Sequence, residues 1–250
     1  MRLIAAEVLK LRRRRGLMAW SVLLTVGSVL VTEIVLIVLH AVNPAHHGPA
    51  GGRTNLEAYA FFLAQLGAVT AILIGSAVGT QDVSNGVFRD LVVTGRPRST
   101  LFDVRVPGAM IVFGAMLALG GILAFAVVYL LAGSNALPSG SYVWHTIAYI
   151  VSYTGLNLIL AIGIAAFTSS RVVVGVLIAW NSIDSHLLMS IHALGGARKL
   201  FAVAAAEHFS PAINDGDKVV MSGTTAVIVL LAWAAAAILA GRWWTGRRDA

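Results

Sequence analysis

The chain has 250 residues, of which 58% are hydrophobic and only 12% charged, with a formal net charge of +7. Ordinary soluble domains carry roughly 25% charged residues, so the composition argues against a water-soluble monomer, a disordered chain or a collagen-like one. There are no cysteines, which removes disulfides, thiolate catalysis and cysteine-held metal or iron–sulfur centres. The basic residues fall in short clusters between long apolar runs. That is the pattern of charges flanking membrane spans and not the single basic face a nucleic-acid binder needs.

Residues 1–15, MRLIAAEVLKLRRRR, are amphipathic at helical spacing. Ile4, Val8 and Leu11 share one face, and Glu7, Lys10 and Arg14 another, with Glu7 and Lys10 spaced to pair at i,i+3. Such a helix suits the membrane interface, its basic side toward anionic headgroups; a plain basic flank is the simpler alternative.

A helix needs roughly 20 apolar residues to cross a hydrocarbon core. Six runs qualify: 17–40, 58–80, 106–132, 143–168, 172–192 and 219–241. They are continuous and not alternating, which disfavours a β-barrel. The expected fold is an all-α, polytopic, six-span membrane domain covering residues 1–250. The first run is far longer than a signal-peptide core and reads as an uncleaved anchor. Of the 18 Lys and Arg residues, 14 fall on one side of this layout and four (Arg53, Arg198, Lys199 and Lys218) on the other. Both termini are therefore expected in the cytoplasm. Arginine outnumbers lysine 15 to 3, which fits a high-GC bacterial genome; the expected location is the bacterial plasma membrane.

Between the second and third spans lies a polar, patterned segment, 82–98. Asp82 or Ser84 suits a helix start. Val83, Val87, Phe88 and Leu91 line one side of the expected short helix, with Asn85 and Arg89 opposite. Gly86 is costly inside a helix, by about 1 kcal/mol, so the helix alternatively begins there. Gly95 and Pro97 form a stop signal, Ser99 restarts a helix with Asp103 in its first turn, and Pro107 opens the third span. The pattern alone leaves open whether the short helix contacts a partner or lies on the bilayer.

Ionisable residues inside spans are functional candidates. Glu33 lies toward the outer side of the first span, either paired at the interface or in a substrate path. In the fifth, Asn181, Asp184 and Ser185 share one face, and Ser182 and His186 another. These residues either contact substrate, pair between helices, or in the case of Asp184 lie beyond the span in water. Asn157 suits a helix–helix hydrogen bond. All seven histidines map to the outer half, without a metal-ligand spacing. Gly75-x3-Gly79 and Ala232-x3-Ala236-x3-Ala240 are small-residue repeats of the kind that allow close helix packing. The external segment 192–218 contains an apolar stretch, 200–206, too short to span, which suits a re-entrant or interfacial helix.

This layout resembles the permease subunit of an ATP-binding-cassette exporter of the six-span, second integral-membrane type. The specific likeness is Asp82-x3-Gly86, then Arg89-Asp90-Leu91-Val92-Val93-Thr94, Arg96-Pro97-Arg98-Ser99 and Arg105. Asp82 stands where the family often has Glu, and Gly95 where Pro is common. The resemblance implies a coupling helix over Val87, Phe88, Arg89, Asp90 and Leu91. Phe88 and Leu91 would be apolar anchors, and Arg89 and Asp90 charged partners, in a groove of a separate ATPase. It also implies two ATPase subunits, which bind the ATP and magnesium, and a second permease, identical or homologous. The transported species would be a hydrophobic or amphipathic compound, peptide or lipid. The chain has no G-x-x-x-x-G-K-[ST] phosphate loop, so no cofactor or hydrolytic activity is expected of it. The competing expectation is an ion-coupled transporter or channel using Glu33 and Asp184.

Overall fold

The computed structural model describes residues 2–84, 86, 93, 95, 97–183, 191–210 and 219–247. Its helices are α1 (Arg2–Arg12), α2 (Arg15–Val42), α3 (Arg53–Ser84), α4 (Arg98–Asp103), α5 (Arg105–Leu130), α6 (Gly140–Ala165), α7 (Ser170–Ile183), α8 (Ala202–Glu207) and α9 (Gly223–Arg247). A 3-10 segment, His192–Leu200, precedes α8. The described residues contain no strand. Helices α2, α3, α5, α6 and α9 are long and apolar enough to cross a bilayer, which marks a membrane-embedded protein. The fifth expected run, 172–192, is described as a helix only through the 14 residues of α7; residues 184–190 lie outside the described set.

The outward surface is apolar and the inward stripe of α2 is small and polar. Val31, Ile34, Val35 and Val38 are exposed, whereas Ser21, Thr25, Ser28 and Thr32 are buried. Thr25, Ser28 and Thr32 donate back to carbonyls of their own helix at 2.7–2.9 Å, so these three hydroxyls are buried at little cost, whereas the Ser21 hydroxyl has no partner among the described residues. Lipid supplies no drive to bury large apolar groups, and small residues let helices approach.

Helix α3 is the centre, packed against α2, α5, α6 and α7. A Cβ on Gly75 would lie 2.7 Å from Ala161 Cβ, and one on Gly79 would collide with Ala165. The Gly75-x3-Gly79 repeat is therefore the seam between α3 and α6. Gly163 of α6 approaches the Ala237 carbonyl of α9 in the same way. The alanine repeat behaves differently: Ala232, Ala236 and Ala240 are all exposed. The stretch 200–206 becomes α8, with Ala202–Ala206 all buried against α9 and α6.

Several local expectations are corrected. Asp82 does not start a helix; it lies within the last turn of α3. Gly86, two residues past that helix, has φ +71°, a left-handed conformation typical of a helix terminator. Gly95 also has positive φ; the helix it is expected to end lies outside the described residues. Asp103 ends α4 and is not in a first turn; it pairs with Arg242 of α9 at 3.6 Å. The last expected run, 219–241, continues as α9 through Arg242 to Arg247.

The seam sets a test. Gly79→Leu should destabilise the detergent-solubilised protein by roughly 1–3 kcal/mol through overpacking. Gly175→Leu, where a Cβ meets open space, should leave the melting temperature nearly unchanged.

Candidate functional site

Two helix ends carry charges of the wrong sign for their dipoles. Asp82 sits at the C-terminal, partially negative end of α3, and Arg105 is the first residue of α5, at a partially positive end. Each needs an opposite charge, and each finds the other. Arg105 Nη2 donates to Asp82 Oδ2 at 3.1 Å, and Nη1 donates to the Gly79 carbonyl at 3.2 Å. That carbonyl lies in the last turns of α3, so Arg105 also covers the negative end of the helix dipole. Arg105 is 1% exposed and Asp82 4%. Arg105 Nε has no hydrogen-bond partner among the described residues.

The second oxygen of Asp82 belongs to α1. Lys10 Nζ donates to Asp82 Oδ1 at 3.0 Å and to Glu7 Oε1 at 2.7 Å. The i,i+3 pair expected from sequence is present, but its face is not turned to solvent: Glu7 is 8% exposed. The reason is a notch in α5. A Cβ on Gly108 would lie 2.7 Å from Glu7 Cβ, so glycine there lets α1 settle onto α5. Two cations and two anions make a neutral quartet, Glu7–Lys10–Asp82–Arg105. Burial works against the Lys10 charge, yet hydrogen bonds to Glu7 and Asp82 and their negative charges hold its pKa above the ordinary 10.5. A raised lysine pKa gives stabilisation that is complete below 10.5 and fades as pH climbs through the higher folded-state value. Lys10 is thus a full cation at neutral pH.

A second polar group lies inside the bundle. Asn181 of α7 donates to Asn157 Oδ1 of α6 at 2.8 Å, and Asn157 donates to the Tyr153 carbonyl at 2.9 Å. The Tyr153 hydroxyl donates to Gln65 Oε1 of α3 at 3.3 Å. The chain of contacts joins α3, α6 and α7, and Asn157 makes the interhelical bond expected of it. Beside it is a crevice of about 10 Å³ between α6, α7 and α8, room for one water. At the opposite end from α1, Asn135 Nδ2 donates to the carbonyls of Pro49 and Gly51 at 2.9 and 2.8 Å. These bonds clasp the α2–α3 loop to the α5–α6 loop.

Of the substrate-path residues expected from sequence, Glu33 is half-buried on α2 and Asn181 lies in the α6–α7 network. No hydrogen bond among the described residues joins the two. Asp184 and His186 lie outside the described residues, as do Val87, Phe88, Arg89, Asp90 and Leu91 of the expected coupling helix. The described residues hold no cluster of three histidine or carboxylate groups suited to a metal. Sequence reasoning missed the quartet as a unit, although opposite charges at the ends of successive spans were a visible signal.

Compared with protein-family models and with curated proteins, the chain matches none.

The quartet is a mechanical junction. Asp82 and Arg105 bracket the chain between α3 and α5, and α1 is tied to both. Replacing Asp82 with Asn leaves the buried Arg105 without a carboxylate, while Lys10 keeps Glu7. We expect a loss of roughly 3–5 kcal/mol, as for removal of one partner of a buried pair, read as a large drop in thermal stability in detergent. Asp103→Asn breaks a half-exposed pair and should cost at most about 1 kcal/mol.

Proposed function

We propose that this chain is the permease subunit of an ATP-driven exporter, working with a separate ATPase that docks at the α1 end. The observation that carries the reading is the quartet, because it makes α1, α3 and α5 one unit around the segment between Asp82 and Arg105. In this reading residues 87–91 form the coupling helix. An ATPase pressing on Phe88 and Leu91, and pairing with Arg89 and Asp90, moves α3 and α5 together with no slack at their ends.

The rest of the reading extends the described helices. Helix α7, continued through the polar run after Ile183, completes six spans. Both termini then lie in the cytoplasm of a bacterium, as the 14-to-4 distribution of basic residues supports. Two ATPases and two permeases make the working complex, with hydrolysis confined to the ATPases. The cargo is a hydrophobic or amphipathic compound, peptide or lipid moved outward. The α6–α7 polar network, with Asn181, Asp184 and His186 on or after α7, is the internal path it meets; Glu33 stands toward the outer exit.

The test is purification of the tagged chain from its native membrane in mild detergent, with mass spectrometry of what accompanies it. The reading expects a stoichiometric ATPase. The Phe88→Ala, Arg89→Ala double variant should insert normally and lose that ATPase. A chain that purifies alone as a stable oligomer, or a double variant that keeps the ATPase, contradicts it. The first result would turn attention to Glu33 and Asp184 as ion sites.

A further inference from the structure

Helices α5 and α6 do not close on each other along their length. Between them, with Leu63 of α3 as floor, runs an apolar groove of about 500 Å³, within the usual range of roughly 300–1,000 Å³ for small-molecule sites. Glycines make the void: a Cβ on Gly114, Gly121 or Gly155 would meet nothing within 4 Å. The rims are open to the bilayer, Ile122 being 66% exposed and Val151 55%. Thr154 supplies the lining's one side-chain hydroxyl, and it already donates to the Ile150 carbonyl at 2.7 Å. The groove therefore offers no side-chain polar group to an occupant, and a hydrocarbon chain fits its chemistry.

The end of the groove at Met110 neighbours a charged site. Along α5, Ile111 lies one turn from Gly114 on the same face, toward α1. Ile111 also lines a second crevice, formed with Ile4, Val8, Leu9 and Arg12 of α1. Arg12 is exposed, and no ion pair among the described residues takes it up. From Met110 to Phe125 the groove follows about 22 Å of helix, more than the roughly 15 Å depth of one leaflet. An apolar slot of leaflet depth, with an arginine in the crevice next to its α1 end, matches an amphiphile with a negative head.

We propose that the α5–α6 groove and Arg12 together bind one anionic phospholipid from the leaflet that faces α1. An acyl chain lies along Gly114 and Gly121, and the headgroup phosphate pairs with the Arg12 guanidinium. The site does not depend on the transport reading above, because no residue of it belongs to the quartet or to the segment 87–91.

The test uses the full chain, delipidated in detergent and incubated with phosphatidylglycerol or phosphatidylcholine bearing the same acyl chains. Bound lipid is counted by native mass spectrometry. The wild type should retain one phosphatidylglycerol per chain in preference to phosphatidylcholine. Gly121→Leu, which fills open space and should leave the melting temperature unchanged, should lower retention of both lipids at least tenfold. Arg12→Gln should weaken phosphatidylglycerol about fivefold, the effect of one basic residue at an anionic surface, and leave phosphatidylcholine unchanged. Equal retention by Gly121→Leu, or an undiminished phosphatidylglycerol preference in Arg12→Gln, overturns the proposal. So does a wild-type dimer that Gly121→Leu dissociates, since the occupant would then be a second copy.

Discussion

The carboxylate of Asp82 is the constraint on which the architecture of the α1 end depends. It sits where the α3 dipole is negative, and α3 is buried on nearly every side. An unpaired anion there would be expelled or protonated. Lys10 takes one oxygen and Arg105 the other, and Glu7 returns the balance to neutrality. Buried ion pairs rarely add much net stability over an apolar substitute. In this placement of α1 against α3 and α5 all four charges have a partner. A helix of 11 residues is marginal by itself, and here it is fixed by Leu11, by the notch at Gly108 and by the Lys10–Asp82 ion pair.

The remainder of the bundle obeys the opposite logic. Its core mixes large apolar side chains such as Tyr59, Phe102 and Leu158 with small residues and self-satisfied hydroxyls, and many further large side chains face outward. Close approach at Gly75, Gly79 and Gly163 replaces the hydrophobic drive that water would supply. Where glycines do not meet a partner, as at Gly114, Gly121 and Gly155, the same residue type leaves a groove. The difference lies in the opposing helix. Ala161 and Ala165 fill the approach to α3, whereas α5 and α6 diverge.

The long helices were legible because span length needs only a sustained apolar run. Their ends were less so. Helix α3 starts at Arg53 and α9 continues to Arg247, since a helix persists into polar sequence until a terminator such as Gly86 stops it. Asp82 was misread as a helix start because aspartate is a common cap and its true partners are 72 and 23 positions away. The same distance hid the orientation of α1: the Glu7–Lys10 pair follows from spacing, but the face it occupies is decided by Asp82 and Gly108. Of two small-residue repeats, the glycine one marks a seam and the alanine one faces out. Spacing alone does not separate them in an alanine-rich chain. The site residues 87–91, Asp184 and His186 rest on sequence, while Asn157 and Asn181 gain a defined geometry.

Asp82 ties the end of α3 to the start of α5. A double-mutant cycle on Asp82→Asn and Arg105→Gln, read by thermal unfolding in detergent with Asp103→Asn and Arg242→Gln as the exposed comparison, tests it most directly. The account predicts strong non-additivity for the buried pair, roughly 1–3 kcal/mol, as for residues sharing one network, and near-additivity for the exposed one. Additive losses at Asp82 and Arg105 would contradict it.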